Sequence, residues 1–343
     1  MKKALFIENT SPDNNLGQIY IETLKKLGYK VDIINNQNNK LEFTKRLFTL
    51  KNLKTYKKLK NIIKQNNYEI IHCNNFICGV LTRFATRKQK SKIIYSTNSF
   101  CFYKGEFFIK WIFGYLIEKH LSNFTDTIII GNKEDYVLAK TKYHAKYVKL
   151  IKAVKIEKNI EKEKSYSRKK YNLKNEDYIF LNIGELNKNE NQIMQLEVMI
   201  DITKKYKNAK LIILGSGMQK EYLENIIVKY GLEQNVQIIE NKDNMLELLN
   251  ICNCLIETSQ NKGTSVNLLQ AMIRKKPILA TNIKEYRDLL KAKNLFEVKD
   301  AITLKNKMIK NIKENKNLET YYNIDKYKLE KVEEKITKIY KTW

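Results

Sequence analysis

The feature that most constrains the fold is an alternation of short apolar runs with longer amphipathic stretches that are rich in lysine. The apolar runs have the length and composition of buried strands, and the stretches between them have the period of helices. The predicted strands are 4–8, 30–34, 69–73, 92–96, 127–130 and 147–151 in the first half, and 178–183, 210–214, 236–239, 254–256 and 277–280 in the second. Strands that alternate with helices on this scale favour parallel sheets covered on both faces.

The stretches between the strands supply the helices and show where the chain divides. The predicted helices are 18–27, 45–65, 78–88, 191–205, 219–230, 245–250, 265–275 and 284–290, and the closing stretch 327–340 is a charged amphipathic helix. A stretch rich in lysine and glutamate, 155–170, separates the two series of strands. We therefore predict an α/β fold of two Rossmann-like domains facing each other across a cleft, 1–160 and 161–325, followed by a C-terminal helix within 326–343.

The charge of the chain narrows the classes of partner. The 343 residues include 64 lysines and arginines against 37 aspartates and glutamates, which gives a net charge of +27. Only six of the basic residues are arginine, and the lysines are spread along the whole chain. Readout of nucleic acids favours arginine and clustered basic faces, so we expect no nucleic-acid partner. An anionic lipid surface or an anionic substrate suits this charge better.

Cysteine usage and the apolar runs indicate the compartment. The five cysteines show no pattern of paired spacings and residues 1–7 show no signal peptide, so we expect a cytoplasmic protein. No apolar run approaches the roughly 18 residues of a membrane-spanning helix. The spacings of Cys73 with Cys78 and of Cys252 with Cys254 are poor for a metal site, and we interpret all four as small buried residues.

Several short motifs occur in one order along nearly the whole chain. In the first half, residues 71–73 read I-H-C and residues 79–83 read G-V-L-T-R. In the second half, residues 184–189 read G-E-L-N-K-N directly after a predicted strand, residues 214–217 read L-G-S-G, and residues 277–281 read P-I-L-A-T. In these motifs the chain resembles bacterial GT-B fold glycosyltransferases of the retaining, glycogen synthase- and mannosyltransferase-like superfamily. Within that superfamily it is most similar to the subgroup that builds capsule and exopolysaccharide.

The resemblance implies a fold and a chemistry. The GT-B fold has a C-terminal helix that crosses back to the first domain. A sugar nucleotide would lie with its diphosphate against the second domain, where a helix N-terminus and a basic pair neutralise the charge of the leaving group. A glutamate pair eight positions apart would serve the ribose and the donor sugar, and a histidine of the first domain would contact the sugar near the reacting carbon. The family uses no metal and no further cofactor, and the chain has no Asp-x-Asp triplet.

At the positions that the resemblance assigns to this site, the chain carries other residue types. Asn98 stands in place of the family histidine as the candidate catalytic residue. Glu185 and Glu190 fall on the basic pair, and Lys262 and Gln270 fall on the glutamate pair with its spacing intact. Asparagine does not titrate, and a carboxylate that replaces a lysine turns attraction of a diphosphate into repulsion.

Six small residues complete the candidate donor site: Gly17, Gly215, Gly217, Gly263, Thr264 and Ser265. The first is the one glycine that remains of a glycine pair in the family's N-terminal loop. The two glycines after the strand 210–214 allow close approach of a nucleotide, or they simply form a turn. Thr264 and Ser265 begin a helix whose free N–H groups hold phosphate, or they cap that helix without any ligand.

The segment 107–117 and His72 each have two interpretations. Residues 107–117 are aromatic and apolar with lysines on both sides. They fit a contact with the membrane interface, where related enzymes meet lipid-linked acceptors, and they fit equally a core helix of the first domain. His72 belongs to a predicted buried strand, which favours a hydrogen-bonded core histidine over a catalyst.

The resemblance leads to one functional expectation and one alternative. We expect transfer of a sugar from a UDP- or GDP-linked donor to a lipid-linked or glycan acceptor in surface-polysaccharide biosynthesis. The reaction would take place in the cytoplasm or at the inner face of the cell membrane. Because key site positions differ, the alternative is a catalytically degenerate relative that acts as a scaffold or as the partner subunit of an active glycosyltransferase.

Overall fold

The protein consists of two compact α/β units. A computed structural model describes residues 2–9, 15–36, 41–44, 46–103, 107–152, 168–240, 244–261, 266–314, 322 and 329–342. Unit 1 comprises Met1–Lys155 with Lys326–Trp343, and unit 2 comprises Ile156–Asp325. Each unit is built on a sheet of six parallel strands with helices on its faces. The prediction of two Rossmann-like parallel-sheet units is therefore confirmed.

The sheet of unit 1 has the strand order β2-β1-β3-β4-β5-β6. Its strands are β1 (Lys3–Ile7), β2 (Lys30–Ile34), β3 (Ile70–Asn74), β4 (Lys92–Thr97), β5 (Thr127–Ile130) and β6 (Tyr147–Leu150). The chain starts on β1, adds β2 on one side and then crosses to β3 on the other. The carboxyl ends of β1 and β3 therefore flank the switch point, where ligands of open α/β sheets bind.

Six helices cover the two faces of this sheet. They are α1 (Asn15–Lys26), α2 (Leu50–Gln65), α3 (Phe76–Ala85), α4 (Phe108–Ser122), α5 (Lys133–Lys142) and, from the end of the chain, α12 (Leu329–Lys341). Helices α2 to α5 pack on one apolar face, and α1 and α12 pack on the other. Helix α12 buries Val332, Ile336 and Ile339, which lie on one face at helical spacing. The buried Lys92 Nζ donates to carbonyls at the end of this helix, so the C-terminal helix crosses back to the first unit as expected.

Unit 2 repeats the plan with the strand order β12-β11-β10-β7-β8-β9. Its strands are β7 (Tyr178–Ile183), β8 (Ala209–Leu214), β9 (Val236–Ile239), β10 (Cys254–Glu257), β11 (Ile278–Thr281) and β12 (Leu295–Phe296). Its helices are α6 (Gln192–Lys205), α7 (Lys220–Lys229), α8 (Met245–Ile251), α9 (Val266–Ile273), α10 (Lys284–Arg287) and α11 (Ala301–Glu314). The switch point lies between β7 and β10.

The structure differs from the predicted elements in several places, and part of one prediction lies outside the described residues. The helix predicted at 45–65 begins at Leu50, because the side chain of Thr49 accepts a hydrogen bond from the Asn52 N–H and caps the first turn. Helices α5 and α11 were not predicted, although α11 buries three apolar residues at a spacing of four. Of the connector predicted at 155–170, only 168–170 lie within the described residues, in a short 3₁₀ turn.

Two further features bear on function. Among the described residues, no helix is long and apolar enough to cross a membrane, and no three His, Cys, Asp or Glu side chains group as metal ligands. Cys73, Cys78, Cys252 and Cys254 are buried, as predicted.

Candidate functional site

The carboxyl edge of the unit 2 sheet is formed by two turns that are hydrogen-bonded to each other. The turn after β7 and the turn after β8 meet where the Leu186 N–H donates to the Ser216 carbonyl at 2.9 Å. A Cβ on Gly215 would lie 1.8 Å from the Gly184 carbonyl oxygen, and Gly217 has a φ of +153° with the Leu186 carbonyl close by. These glycines are required by the packing of the turns. A role in nucleotide approach stays a prediction.

Glu190 is buried beneath the first of these turns. Its Oε2 accepts a hydrogen bond from Ser259 Oγ at 2.6 Å, and its backbone carbonyl accepts one from Thr258 Oγ1 at 2.7 Å. A Cβ on Gly184 would lie 2.9 Å from the same Oε2. Glu190 therefore ties the turn after β7 to the end of β10. Glu185, by contrast, is exposed at the carboxyl end of β7.

Gln270 lies on α9 and is buried. Its Oε1 accepts a hydrogen bond from Arg274 Nη1 at 2.7 Å, and Arg274 Nε donates in turn to Asn250 Oδ1 at 2.9 Å. Gln270, the residue that we predicted in place of the second family glutamate, is thus hydrogen-bonded to the Arg274 guanidinium one helical turn away. Lys262, Gly263, Thr264 and Ser265 lie outside the described residues.

A second buried carboxylate of unit 2 was not predicted. Glu257 is the last residue of β10, and its Oε2 accepts a hydrogen bond from the Tyr286 hydroxyl at 3.1 Å. Burial, together with the nearby Glu257 carboxylate, raises the pKa of Tyr286 well above its usual value. The only sequence signal was an acidic residue at the end of an apolar run.

At the carboxyl edge of unit 1, Asn98 follows β4 and its side chain is exposed. Its backbone carbonyl accepts a hydrogen bond from Asn132 Nδ2 at 2.9 Å, which fixes the backbone at this position. A Cβ on Gly131 would lie 2.9 Å from the Asn98 backbone, so glycine is needed for this close approach. Asn98 is thus an exposed residue whose backbone is held in place, with its amide oxygen on the side of Gly131.

Gly17 and Glu8 meet at the switch point of the unit 1 sheet. Gly17 is in the first turn of α1, and a Cβ there would lie 2.7 Å from Glu8 Oε2. Glu8 directly follows β1 and is fully buried, and its Oε1 has no hydrogen-bond partner among the residues that the structure describes. Burial raises the pKa of Glu8 from 4.5 to about 7, although a hydrogen bond from Asn74 opposes the rise. Glu8 was not predicted from the sequence.

A buried chain of hydrogen bonds leads from α12 to Glu8. Ser96 Oγ donates to Asn74 Oδ1 at 2.8 Å, and Asn74 Nδ2 donates to Glu8 Oε2 at 3.3 Å. Ser96 must therefore accept from His72 Nε2 at 2.9 Å, which leaves His72 Nδ1 to accept from the Tyr340 hydroxyl at 2.6 Å. Burial lowers the pKa of His72 to about 3, so the ring is neutral as this pattern requires. The interpretation of His72 as a hydrogen-bonded core histidine is confirmed.

The fold is GT-B-like. Each of its two α/β units is built on a sheet of parallel strands and has glycine turns and polar side chains at the carboxyl edge of that sheet. Comparison with solved structures supports this class. The crystal structure of Anabaena Alr3699/HepE in complex with UDP is similar with a TM-score of 0.75 at 16% identity, over 99% of each chain. The lipopolysaccharide outer core galactosyltransferase WaaB is similar with a TM-score of 0.69 at 14% identity, over all of both chains.

Comparison of sequences gives the family. Residues 163–330 match the family "Glycosyl transferases group 1", and residues 5–132 match "Glycosyl transferase 4-like". The chain is 27% identical over 292 residues to "Putative glycosyltransferase EpsD" of Bacillus subtilis (strain 168). This alignment covers 79% of this chain and 76% of that protein. Residues 163–330 belong to the group 1 glycosyltransferase family.

Proposed function

We propose that the protein transfers a sugar, with retention, from a nucleotide sugar to a lipid-linked or glycan acceptor during synthesis of a capsule or exopolysaccharide. The observation that carries this proposal is the match of both halves of the chain to glycosyltransferase families. The similarity to EpsD supports an exopolysaccharide product. The donor is UDP-linked in preference to GDP-linked, because the similar HepE structures contain UDP and UDP-glucose. No metal is needed.

Unit 2 binds the nucleotide sugar and unit 1 faces the acceptor. In unit 2, Glu185, Gly215 and Gly217 lie at the edge where ligands of parallel sheets bind. The donor-binding set further includes Glu190, Lys262, Gly263, Thr264, Ser265 and Gln270 from unit 2, and Gly17 from unit 1. Asn98, an exposed residue after β4, contacts the donor sugar where the family histidine would stand. The protein works at the inner face of the cell membrane, with residues 107–117 as its peripheral contact.

The second candidate function is that of a degenerate scaffold or partner subunit of an active glycosyltransferase. Asn98 cannot titrate, and the Gln270 amide is bonded to Arg274, which favours this alternative. The burial of Glu190 favours activity, because its carboxylate is bonded to Ser259 instead of standing free beside a diphosphate.

The test is release of nucleoside diphosphate from a panel of UDP- and GDP-linked sugars, with bacterial lipid extract as the acceptor source. An active enzyme releases UDP only when the extract is present. Replacement of Asn98 by alanine lowers this release about tenfold or more, as for other lost transition-state contacts. The matched control is Asn67→Ala, at an exposed asparagine of the same unit, which leaves release unchanged.

The alternative makes a different prediction. A degenerate protein releases no UDP, but the triple variant Asn98→His, Lys262→Glu, Gln270→Glu restores the family residues and gains hydrolysis of the donor. Glu190 is left in place because a lysine there would bury a cation. If neither the parent nor the triple variant acts on any donor, the proposed transfer is wrong.

A further inference from the structure

Unit 1 has a cavity of about 760 Å³ between α2, α3 and α4. Its walls are apolar side chains, among them Leu47, Tyr56, Leu81 and Phe84. This volume falls within the range of about 300–1,000 Å³ that is typical of ligand pockets. The cavity lies away from the sheet edge that carries Asn98 and Glu8, because it is formed by helices on one face of the sheet.

Thr49 and Asn52 of the cavity wall are hydrogen-bonded within the protein. Asn52 Oδ1 accepts from the Thr44 N–H, and Asn52 Nδ2 donates to the carbonyls of Arg46 and Leu47. Thr49 Oγ1 accepts from the Asn52 N–H. The wall therefore offers mainly hydrocarbon and aromatic surface, with the hydroxyl of Tyr56 as a further polar group.

The rim of the cavity is apolar and exposed. We call it the α2–α4 surface and define it by Phe48, Leu50, Leu53, Phe113 and Leu116. Leu50 is 80% exposed and Phe48 is 77% exposed, and the rings of Phe48 and Phe113 are 5.6 Å apart. With 107–109, this region holds eight of the fifteen large apolar side chains that are exposed among the described residues. Soluble proteins rarely gather so many in one place unless the surface binds something.

The charge around this surface identifies its partner. Helix α2 carries six lysines and no acidic residue, and exposed Lys54 and Lys57 share the outer face of the helix with Leu50 and Leu53. The single acid of α4 is Glu118, which is buried and paired with Arg83 at 2.8 Å. A second copy of this chain would bring the same positive charge, so an interface between copies is disfavoured.

We propose that the α2–α4 surface docks the protein on an anionic lipid bilayer, with its apolar side chains among the lipid chains and its lysines at the headgroup phosphates. Lipid hydrocarbon fills the cavity between the three helices upon docking. A surface of apolar side chains bordered by lysines has the composition of an interfacial membrane element. This surface extends the contact at 107–117 to a second helix, and it does not depend on the proposed sugar transfer.

The test is flotation of the purified protein with vesicles of phosphatidylcholine, with and without phosphatidylglycerol. The protein is expected to float with the anionic vesicles and to be released when ionic strength rises from about 0.1 to about 1 M, which shortens the screening length from about 10 to about 3 Å. Lys54→Gln with Lys57→Gln lowers the partition coefficient about thirtyfold. Lys229→Gln with Lys313→Gln, at exposed lysines of unit 2, is the matched control and leaves it nearly unchanged.

The apolar contribution is tested separately. Leu50→Gln with Leu53→Gln lowers binding about tenfold or more, because less hydrocarbon is buried in the bilayer. The matched control is Val228→Gln with Ile302→Gln, which removes two exposed apolar residues of unit 2. Far-ultraviolet circular dichroism checks that the two lysine variants and the two apolar variants fold. All eight substituted residues are exposed.

Three results would overturn the proposal. The first is equal flotation with neutral and anionic vesicles. The second is equal binding by the parent and both surface variants. The third is a dimer that the Leu50→Gln, Leu53→Gln variant dissociates, in a protein that binds no vesicles. Vesicle binding requires no donor or acceptor, so its failure leaves UDP release in place, and failure of UDP release leaves vesicle binding in place.

Discussion

The fully buried Glu8 carboxyl makes unit 1 less stable at high pH than at low pH. In the folded protein burial raises its pKa from 4.5 to about 7. Below about pH 4.5 both folded and unfolded chains hold the proton, and the group has no effect on stability. Between about 4.5 and 7 only the folded chain holds it, so stability falls as pH rises. At about 1.4 kcal/mol for each pH unit, the loss reaches about 3 kcal/mol above pH 7.

Glu8→Gln removes this loss because glutamine keeps the shape and cannot ionise. The variant should be as stable as the parent near pH 4.5 and up to about 3 kcal/mol more stable at pH 8. The comparison must be between variant and parent, because His72 acts in the opposite sense. Burial lowers the pKa of His72 to about 3, so His72 costs stability as pH falls below about 6.5.

The assay is urea unfolding across this pH range, followed by tryptophan fluorescence, which reports on unit 1 through Trp111. Glu22→Gln, at an exposed position of α1, is the matched control and should change stability by less than about 0.5 kcal/mol. Equal stability of Glu8→Gln and parent at pH 8 would refute the reasoning. A difference that is already present at pH 4.5 would also refute it, because ionisation could not then be the cause.

Two further changes test the packing of each unit. Gly215→Ala places a Cβ 1.8 Å from the Gly184 carbonyl oxygen and should cost about 1–3 kcal/mol. The cost is seen as a lower urea midpoint in circular dichroism, since both tryptophans belong to unit 1, and an unchanged midpoint would contradict the close turn packing. Glu118→Gln leaves the buried Arg83 charge unpaired and should lower the free energy of unfolding by about 3–5 kcal/mol. Glu334→Gln, at an exposed ion pair, should lower it by less than about 1 kcal/mol. Similar losses for the two variants would contradict the stabilising role of the buried pair.

Most strands were predictable because they are short and largely apolar runs, whereas the two-residue strand β12 was not predicted. β5 and β7 have the predicted bounds for this reason. Helix ends were less predictable, because apolar residues continue in front of α2 and only the Thr49 side chain marks its start. The burial of α4 was not predictable, because its apolar residues lie on both its packed face and its exposed face.

The places of the candidate residues relative to the strands were predictable, and their contacts were less so. Asn98, Glu185 and Gly215 were placed after strands, and each lies at the carboxyl edge of its sheet. The partner of Glu190 is Ser259, 69 residues further along the chain, and no local pattern shows such a contact. Glu8 was missed for a similar reason, since its burial depends on α1 and on Asn74.

The most direct test of the account is a thermal shift measured with UDP-, GDP- and CMP-linked sugars. A ligand at about 100 times its Kd adds about 2.7 kcal/mol of stability, which raises the Tm of a unit of this size by several degrees. The account predicts such a rise for UDP-linked sugars and none for CMP-linked sugars. A well-folded sample whose Tm does not change with any nucleotide sugar would contradict donor binding by this protein.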